Sequence, residues 1–222
     1  MSAFSATAQT REFYGGLNSS NYLFNQEGII SSKNYVPGAQ FGVMLGRKSR
    51  NVFGNLKRFS PHLSFEYNLS KYDFQEVRGD VVNAHSIDAH SLRVAVPIQF
   101  RLSKNDKIAQ FYVSGAPGLQ MTALQMENGQ MFSQAPAKNL DLFVNVGGGL
   151  LLNTMKKSYD RDGYKFSALT LSGHKYIPIS LGRFGSTSST MDQYQLNVGL
   201  RFSHYKKSGP RKFFDNFKRD KN

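Results

Sequence analysis

The stretch SPHLSFEYNLS, Ser60 to Ser70, carries His62, Ser64, Glu66 and Asn68 on every second position, with Leu63, Phe65, Tyr67 and Leu69 between them. Successive side chains of a β-strand point to opposite faces, so the four polar groups share one face and the four apolar groups the other. Two readings fit: a catalytic row of His, Ser and Glu, or one strand of a larger sheet with a wet side and an apolar side. The rest of the chain decides between them.

The alternation recurs. In HSLRVAVPIQFRLSK, Leu92, Val94, Val96, Ile98, Phe100 and Leu102 form one row, and Arg93, Gln99, Arg101 and Ser103 lie on the other. In DQYQLNVGLRFSHY, Tyr194, Leu196, Val198, Leu200 and Phe202 alternate with Gln193, Gln195, Asn197, Gly199 and Arg201. IAQFYVSGAPGLQMTAL sets Phe111, Val113, Leu119 and Met121 against Gln110, Ser114 and Gln120. Weaker versions in REFYGGLNS, GAQFGVMLG, LDLFVNVGGGLLLN and GYKFSALTLSG bring the total to eight candidate strands. Each is near the length of about 9–11 residues that crosses a bilayer. Long polar segments follow the first, third, fifth and seventh strands, and shorter ones the second, fourth and sixth. A transmembrane barrel has this asymmetry, with short periplasmic turns, longer outer loops and both termini on the periplasmic side.

Composition narrows the class. A chain of 222 residues without internal repeat or linker suits one all-β domain. No apolar run approaches the roughly 18 residues of a membrane helix, which leaves a barrel open. With no Cys, disulfides, thiolate metal sites and a cysteine nucleophile are excluded. A net charge of +13 points to acidic partners, yet neither a basic helical stripe nor an aromatic RNA-binding signature is present, so no nucleic acid is expected. The fold expected is an eight-stranded antiparallel up-and-down transmembrane β-barrel over residues 9–205. Residues 1–8, with Ala6-Thr7-Ala8 before Gln9, resemble the end of a secretory signal, and residues 206–222 form a short basic periplasmic tail.

In such a barrel the apolar rows face lipid: Leu63, Phe65, Tyr67 and Leu69; Val94, Val96, Ile98 and Phe100; Leu196, Val198, Leu200 and Phe202. The opposite rows line the lumen as a polar network of Glu12, His62, Ser64, Glu66, Arg93, Gln99, Arg101 and Arg201. Unpaired buried ions cost several kcal/mol, so Glu66 is expected between Arg93 and Arg101, and Glu12 beside Arg201 where the first strand meets the last. Eight strands leave an interior about filled by side chains. The soluble alternative, a lipocalin-like carrier, turns the apolar face inward around a ligand, but a chain without Trp cannot hold its Gly-x-Trp signature.

Four segments in order, HSLRVAVPIQFRLSK, FYVSGAPGLQM, LDLFVNVGGGLLLN and YQLNVGLRF, resemble the PorT-like outer-membrane β-barrel proteins, over roughly Arg11 to Tyr205. The resemblance implies an outer-membrane barrel exported through a cleaved signal, bedded in lipid and lipopolysaccharide, with no shared catalytic residue and no cofactor. It does not imply one function; the role expected is structural or interactive, such as that of an accessory component in an envelope or secretion machine with periplasmic or outer-membrane protein partners.

Four local features compete with that reading. His62 and Ser64 are similar to the His-x-Ser pair of lipid A deacylases, since Ser needs a base within hydrogen-bond reach and a carboxylate to orient it. A lumenal face, however, keeps them from lipid. Asp80, His85, Asp88 and His90 in GDVVNAHSIDAH could ligate a divalent metal, but their spacing fits no compact site, so no metal is expected. Gly147-Gly148-Gly149 lies in a strand without a following Lys, and is read as room for bulky neighbours rather than a phosphate loop. In the tail, Phe213, Phe214 and Phe217 at helical spacing with Arg211 and Lys212 make a candidate partner contact.

Overall fold

The computed structural model describes residues 10–25, 27–46, 59–102, 108–131, 140–153, 163–179 and 188–205. They form one antiparallel sheet of eleven strands: β1 (Thr10–Asn25), β2 (Ile29–Ser31), β3 (Val36–Gly46), β4 (Phe59–Arg78), β5 (Val81–Ala95), β6 (Ile98–Arg101), β7 (Ala109–Glu127), β8 (Gln130–Met131), β9 (Leu140–Asn153), β10 (Gly163–Ile179) and β11 (Ser188–Tyr205). Eight of them close a ring in the order β1-β3-β4-β5-β7-β9-β10-β11, with β11 returning to β1. The short β2 extends the ring at β4, β8 extends β7, and β6 continues β5 past Pro97. Pro97 has no N–H for the ladder, and the break is bridged by Val96 N to Pro117 O (2.9 Å) and His62 N to Pro97 O (2.8 Å).

Closure fixes the tilt of the strands. Stepping through paired residues from Val113 leads to Gly148, Gly173, Leu196, Leu17, Ala39, Leu69, His90 and then Leu124, back on β7. The walk returns eleven residues along, of which one is absorbed by the register shift at His90/Ser91, leaving an offset of ten. At about 3.3 Å per residue and about 4.7 Å between strands, that offset over eight strands gives a tilt of about 41°.

The eight segments expected as strands are the eight strands of the ring, but most run beyond the expected lengths: β4 has 20 residues, β7 19 and β11 18. Much of what reads as long polar loop is ladder. The segment FQEVRGDVVNAHSIDAH pairs along β4 and β5 up to a turn at Gly79 (φ +59°), and β7–β8 turns on Asn128-Gly129 (φ +49° and +80°). Asn-Gly with both residues at positive φ matches the twist of the flanking strands.

The glycine run of β9 answers to close backbone approach. A Cβ on Gly149 would stand 2.3 Å from Leu171 O and 2.7 Å from the Tyr112 hydroxyl, whereas one on Gly115 would meet nothing within 4 Å. Gly149→Ala is therefore expected to cost about 1–3 kcal/mol through overpacking against backbone that cannot yield. Gly115→Ala leaves stability near the wild type. Denaturant titration, followed by gel mobility of unboiled samples, separates the two.

Candidate functional site: the closed lumen

The inner face is polar through the middle of the ring and organised around two arginines. Arg93 on β5 sits opposite Glu66 on β4 and donates Nη1 to Glu66 Oε1 (3.0 Å). Its Nε donates to Gln120 Oε1 (2.6 Å), its register partner on the neighbouring β7, and Nη2 crosses the lumen to Gln193 Oε1 (2.6 Å). One guanidinium thus ties β4, β5, β7 and β11 together, using the planar fork that lysine lacks. Gln193 passes the connection to Asn68 and Ser70, Asn18 donates to Asn68 (3.0 Å), and Tyr14 donates its hydroxyl to Glu66 Oε2 (3.2 Å). Toward the end that carries both termini, Arg201 faces its register partner Glu12 (Nε to Oε2, 2.7 Å). Thr170 donates to the other carboxylate oxygen (2.7 Å), and Arg201 Nη2 reaches Gln99 (3.1 Å). Between the two ion pairs lies a cavity of about 60 Å³ whose lining mixes Ser64, Ser114, His174, Asn145 and Asn197 with apolar groups such as Met44 and Phe143, roomy enough for a few water molecules.

Above Arg93, at the opposite end, the inner face turns aromatic. Tyr22, Tyr72, Phe74, Ile87, Phe143, Tyr176 and Met191 are all buried and form one cluster. The rings of Tyr22 and Tyr72 lie 4.3 Å apart, Phe143 stacks on Tyr176 at 4.9 Å, and the Arg93 guanidinium lies 4.9 Å from the Tyr176 ring. Sequence reasoning expected an interior filled by side chains but missed the aromatic make-up of this end. Its signal was the alternation in YDF, Tyr72 to Phe74, which continues the strand with the polarity of its faces exchanged.

Of the residues read as lumenal, Glu12, His62, Ser64, Arg93, Gln99 and Arg201 are buried on the inner face, with Glu66 and Arg101 on the same face. One expected pairing fails. Glu66 is opposite Arg93, and Arg101 is eight residues further along, about 26 Å in an extended strand, so it cannot flank the same carboxylate. Leu196 (70 % exposed), Val198, Leu200, Val94, Val96 and Ile98 stand on the outer face. Leu63, Phe65, Tyr67, Leu69, Phe100 and Phe202 share that face and are half-buried. Aromatic neighbours cover several of them, with Phe41–Tyr67 at 5.0 Å, Phe59–Phe100 at 4.9 Å and Phe166–Phe202 at 5.9 Å.

The competing sites come apart. The Ser64 hydroxyl donates to Ala95 O (3.3 Å), not to His62, and both side chains are enclosed by the wall. Asp88 and His90 lie on the outer face of β5, where Asp88 pairs with Lys71 (3.2 Å) and His90 bonds the Tyr67 hydroxyl. His85 is on the inner face against Glu127 (3.0 Å). Period-two alternation therefore splits the three, and no metal-holding cluster exists among the described residues. Ala6-Thr7-Ala8 and the tail residues Arg211, Lys212, Phe213, Phe214 and Phe217 fall outside the described residues.

No family model and no curated protein matches the sequence. Among solved structures, Neisserial surface protein A is similar at 10% identity, with 86% of this chain and 96% of that one covered and a TM-score of 0.47. The outer membrane protein OprG from Pseudomonas aeruginosa is similar at 13% identity, with 89% and 97% covered and a TM-score of 0.42. The N-terminal β-barrel domain of Pseudomonas aeruginosa OprF is similar at 9% identity, with 88% and 97% covered and a TM-score of 0.41.

Proposed function

We propose that the chain is an integral outer-membrane β-barrel of the PorT-like kind, without catalytic activity, that serves a structural or interaction role as an accessory component of an envelope or secretion machine. The observation that carries the membrane reading is the outer wall. On β4 the outward row Phe59, Pro61, Leu63, Phe65, Tyr67 and Leu69 is free of charge until Lys71. Ten residue steps at a tilt of about 41° span about 25 Å along the axis, the height of the apolar band of a membrane barrel. Pairs of charges mark its upper edge, Lys71 with Asp88 and Lys175 with Asp192 (3.6 Å). An apolar surface circling a whole protein is far larger than a soluble monomer exposes. The lipocalin-like alternative needs an apolar interior, and the middle of this one is Asn18, Gln40, Asn68, Gln120 and Gln193.

On this reading the terminus-bearing end is periplasmic, and lipid with lipopolysaccharide surrounds the wall. Partners meet the opposite end or the basic tail. Membrane fractionation with gel mobility before and after boiling is the test. The expected result is detergent-dependent recovery in the outer membrane with a faster unboiled band; a water-soluble protein without a heat shift overturns the proposal. Because the aromatic plug fills the lumen above Arg93, the purified barrel is expected to show no steady ion conductance in planar bilayers. Sustained channel openings would mean that the plug is displaced.

A further inference from the structure

Above the charged edge of the apolar band, β5 loses its second neighbour. It pairs with β4 along its whole length, but with β7 only from Asp88 to Ala95, because β7 turns back at Asn128-Gly129. The direction of the backbone groups in residues 81–87 follows from the strands beside them. Ser32 N donates to Asp73 O and Val77 N to Gly28 O, so the odd-numbered residues of this part of β4 turn toward β2 and the even-numbered ones toward β5. Asn83 and His85, opposite Glu76 and Phe74, therefore turn toward β4, and Val82, Ala84 and Ser86 turn away from it. Just below β5, Val96 N donates to Pro117 O, with the same parity toward β7. The N–H and C=O groups of Val82, Ala84 and Ser86 thus form a row without a ladder partner among the described residues.

Folded proteins blunt such edges with charged side chains, proline or bulges. VVNAHSI, residues 81–87, contains no Lys, Arg, Asp, Glu or Pro, and its pairing with β4 runs without a register shift. The flank is apolar: Val82 lies opposite Val77, and Ile30 (55 % exposed) shares their outer face through its partner Gln75. From Asp88 to the turn at Gly79 the hairpin rises about 20 Å at the tilt of the ring, so the open edge stands clear of the band.

The geometry narrows what can dock there. Two copies side by side in one membrane are related by an axis along its normal, and strands tilted by about 41° then cross at about 82°, far beyond the twist a ladder tolerates. Within the chain, Met126 pairs with Asp88 on one side and Met131 on the other, so β8 leaves β7 on the side away from β5.

We propose that the β7-facing edge of β5, at Val82, Ala84 and Ser86, is a strand-addition site for an extended segment of another protein. The segment completes the ladder with its backbone, and its side chains alternate apolar outward and polar inward. Outward it joins the Val77–Val82 row. Inward it meets Asn83 and His85, with the Glu127 carboxylate bonded to His85 (3.0 Å), which favours neutral or basic residues over acidic ones. The site deepens the interaction role proposed above, and rests on that reading for the edge standing outside the membrane.

The test uses the full chain refolded in a nonionic detergent, with a blocked peptide of alternating threonine and valine as the probe and residue-resolved amide hydrogen exchange as the readout. Unboiled gel mobility verifies the closed barrel in every sample, so failure of the barrel and failure of the site are separate results. Without peptide, the amides of Asn83 and His85 should exchange slowly and those of Val82, Ala84 and Ser86 rapidly. With peptide in excess, the rapid set should slow by about tenfold, one added hydrogen bond each. Ala84→Pro removes an N–H that β4 does not use, and should abolish the slowing at Val82 and Ser86 with mobility unchanged. Ala84→Lys keeps the N–H and adds an edge charge, and should weaken the slowing even if proline disturbs the hairpin. Edge amides that are slow before peptide is added, that stay fast with it, or that slow equally in both variants overturn the site.

Discussion

Arg93→Ala destabilises the barrel by about 3–5 kcal/mol, because it leaves the Glu66 carboxylate buried without its cation. It also strands Gln120 on the neighbouring strand and Gln193 across the lumen, whose carbonyl oxygens Arg93 holds at 2.6 Å. The outer pair Lys71–Asp88 gives the contrast. Its side chains are 41 % and 44 % exposed, so Lys71→Ala costs no more than about 1 kcal/mol. Changing both partners, as in Glu66→Gln with Arg93→Met, removes the stranded charge and is expected to recover a large part of the loss. Urea titrations of the refolded protein, read by the fraction of fast-migrating unboiled band, rank the three. Equal midpoints for Arg93→Ala and Lys71→Ala would mean that the network contributes nothing to holding the ring closed.

What the sequence discloses follows the solvent around each strand. Between the two edges of the apolar band the faces differ sharply, and there period-two alternation marks all eight ring strands and the inward side of Glu12, Glu66, Arg93 and Arg201. The Glu12–Arg201 pair was legible because closure of an even-numbered ring must bring the first strand beside the last. Past the edge at Lys71 the polarity inverts: Tyr72 and Phe74 point in, and Lys71 and Asp73 point out. The same inversion on β5 places Ile87 and Ala89 inside with Ser86 and Asp88 outside. This part of the ring has the polarity of a protein standing in water, so a pattern tuned to the band reads it as loop although the ladder is unbroken. Arg101 was misplaced for a different reason. Alternation assigns a face but not a height, and only the register shows that Arg93 exhausts the reach of Glu66. His62 was legible as inward-facing, but its close approach to Gly46 belongs to three-dimensional packing that no spacing reveals.

The apolar band itself makes the sharpest quantitative claim. Val198 stands on the outer face of β11, with Tyr194 and Leu196 on one side of it and Leu200 and Phe202 on the other, which puts it near mid-height. Val198→Arg is expected to destabilise the protein refolded in lipid vesicles by about 2–4 kcal/mol, the cost of a cation on the lipid face at the bilayer midplane. Val82 is as exposed, 57 % against 52 %, but lies on β5 six residues beyond Asp88 at the band's edge. Val82→Arg therefore costs about 0–1 kcal/mol, since the penalty vanishes toward the interface. The two substitutions are alike in chemistry and exposure, so intrinsic strand preference cancels in the comparison. A soluble protein gives arginine the same water at both positions. Equal unfolding midpoints in vesicles would thus remove lipid from the wall, whereas a gap that persists across salt concentrations identifies the bilayer as its cause.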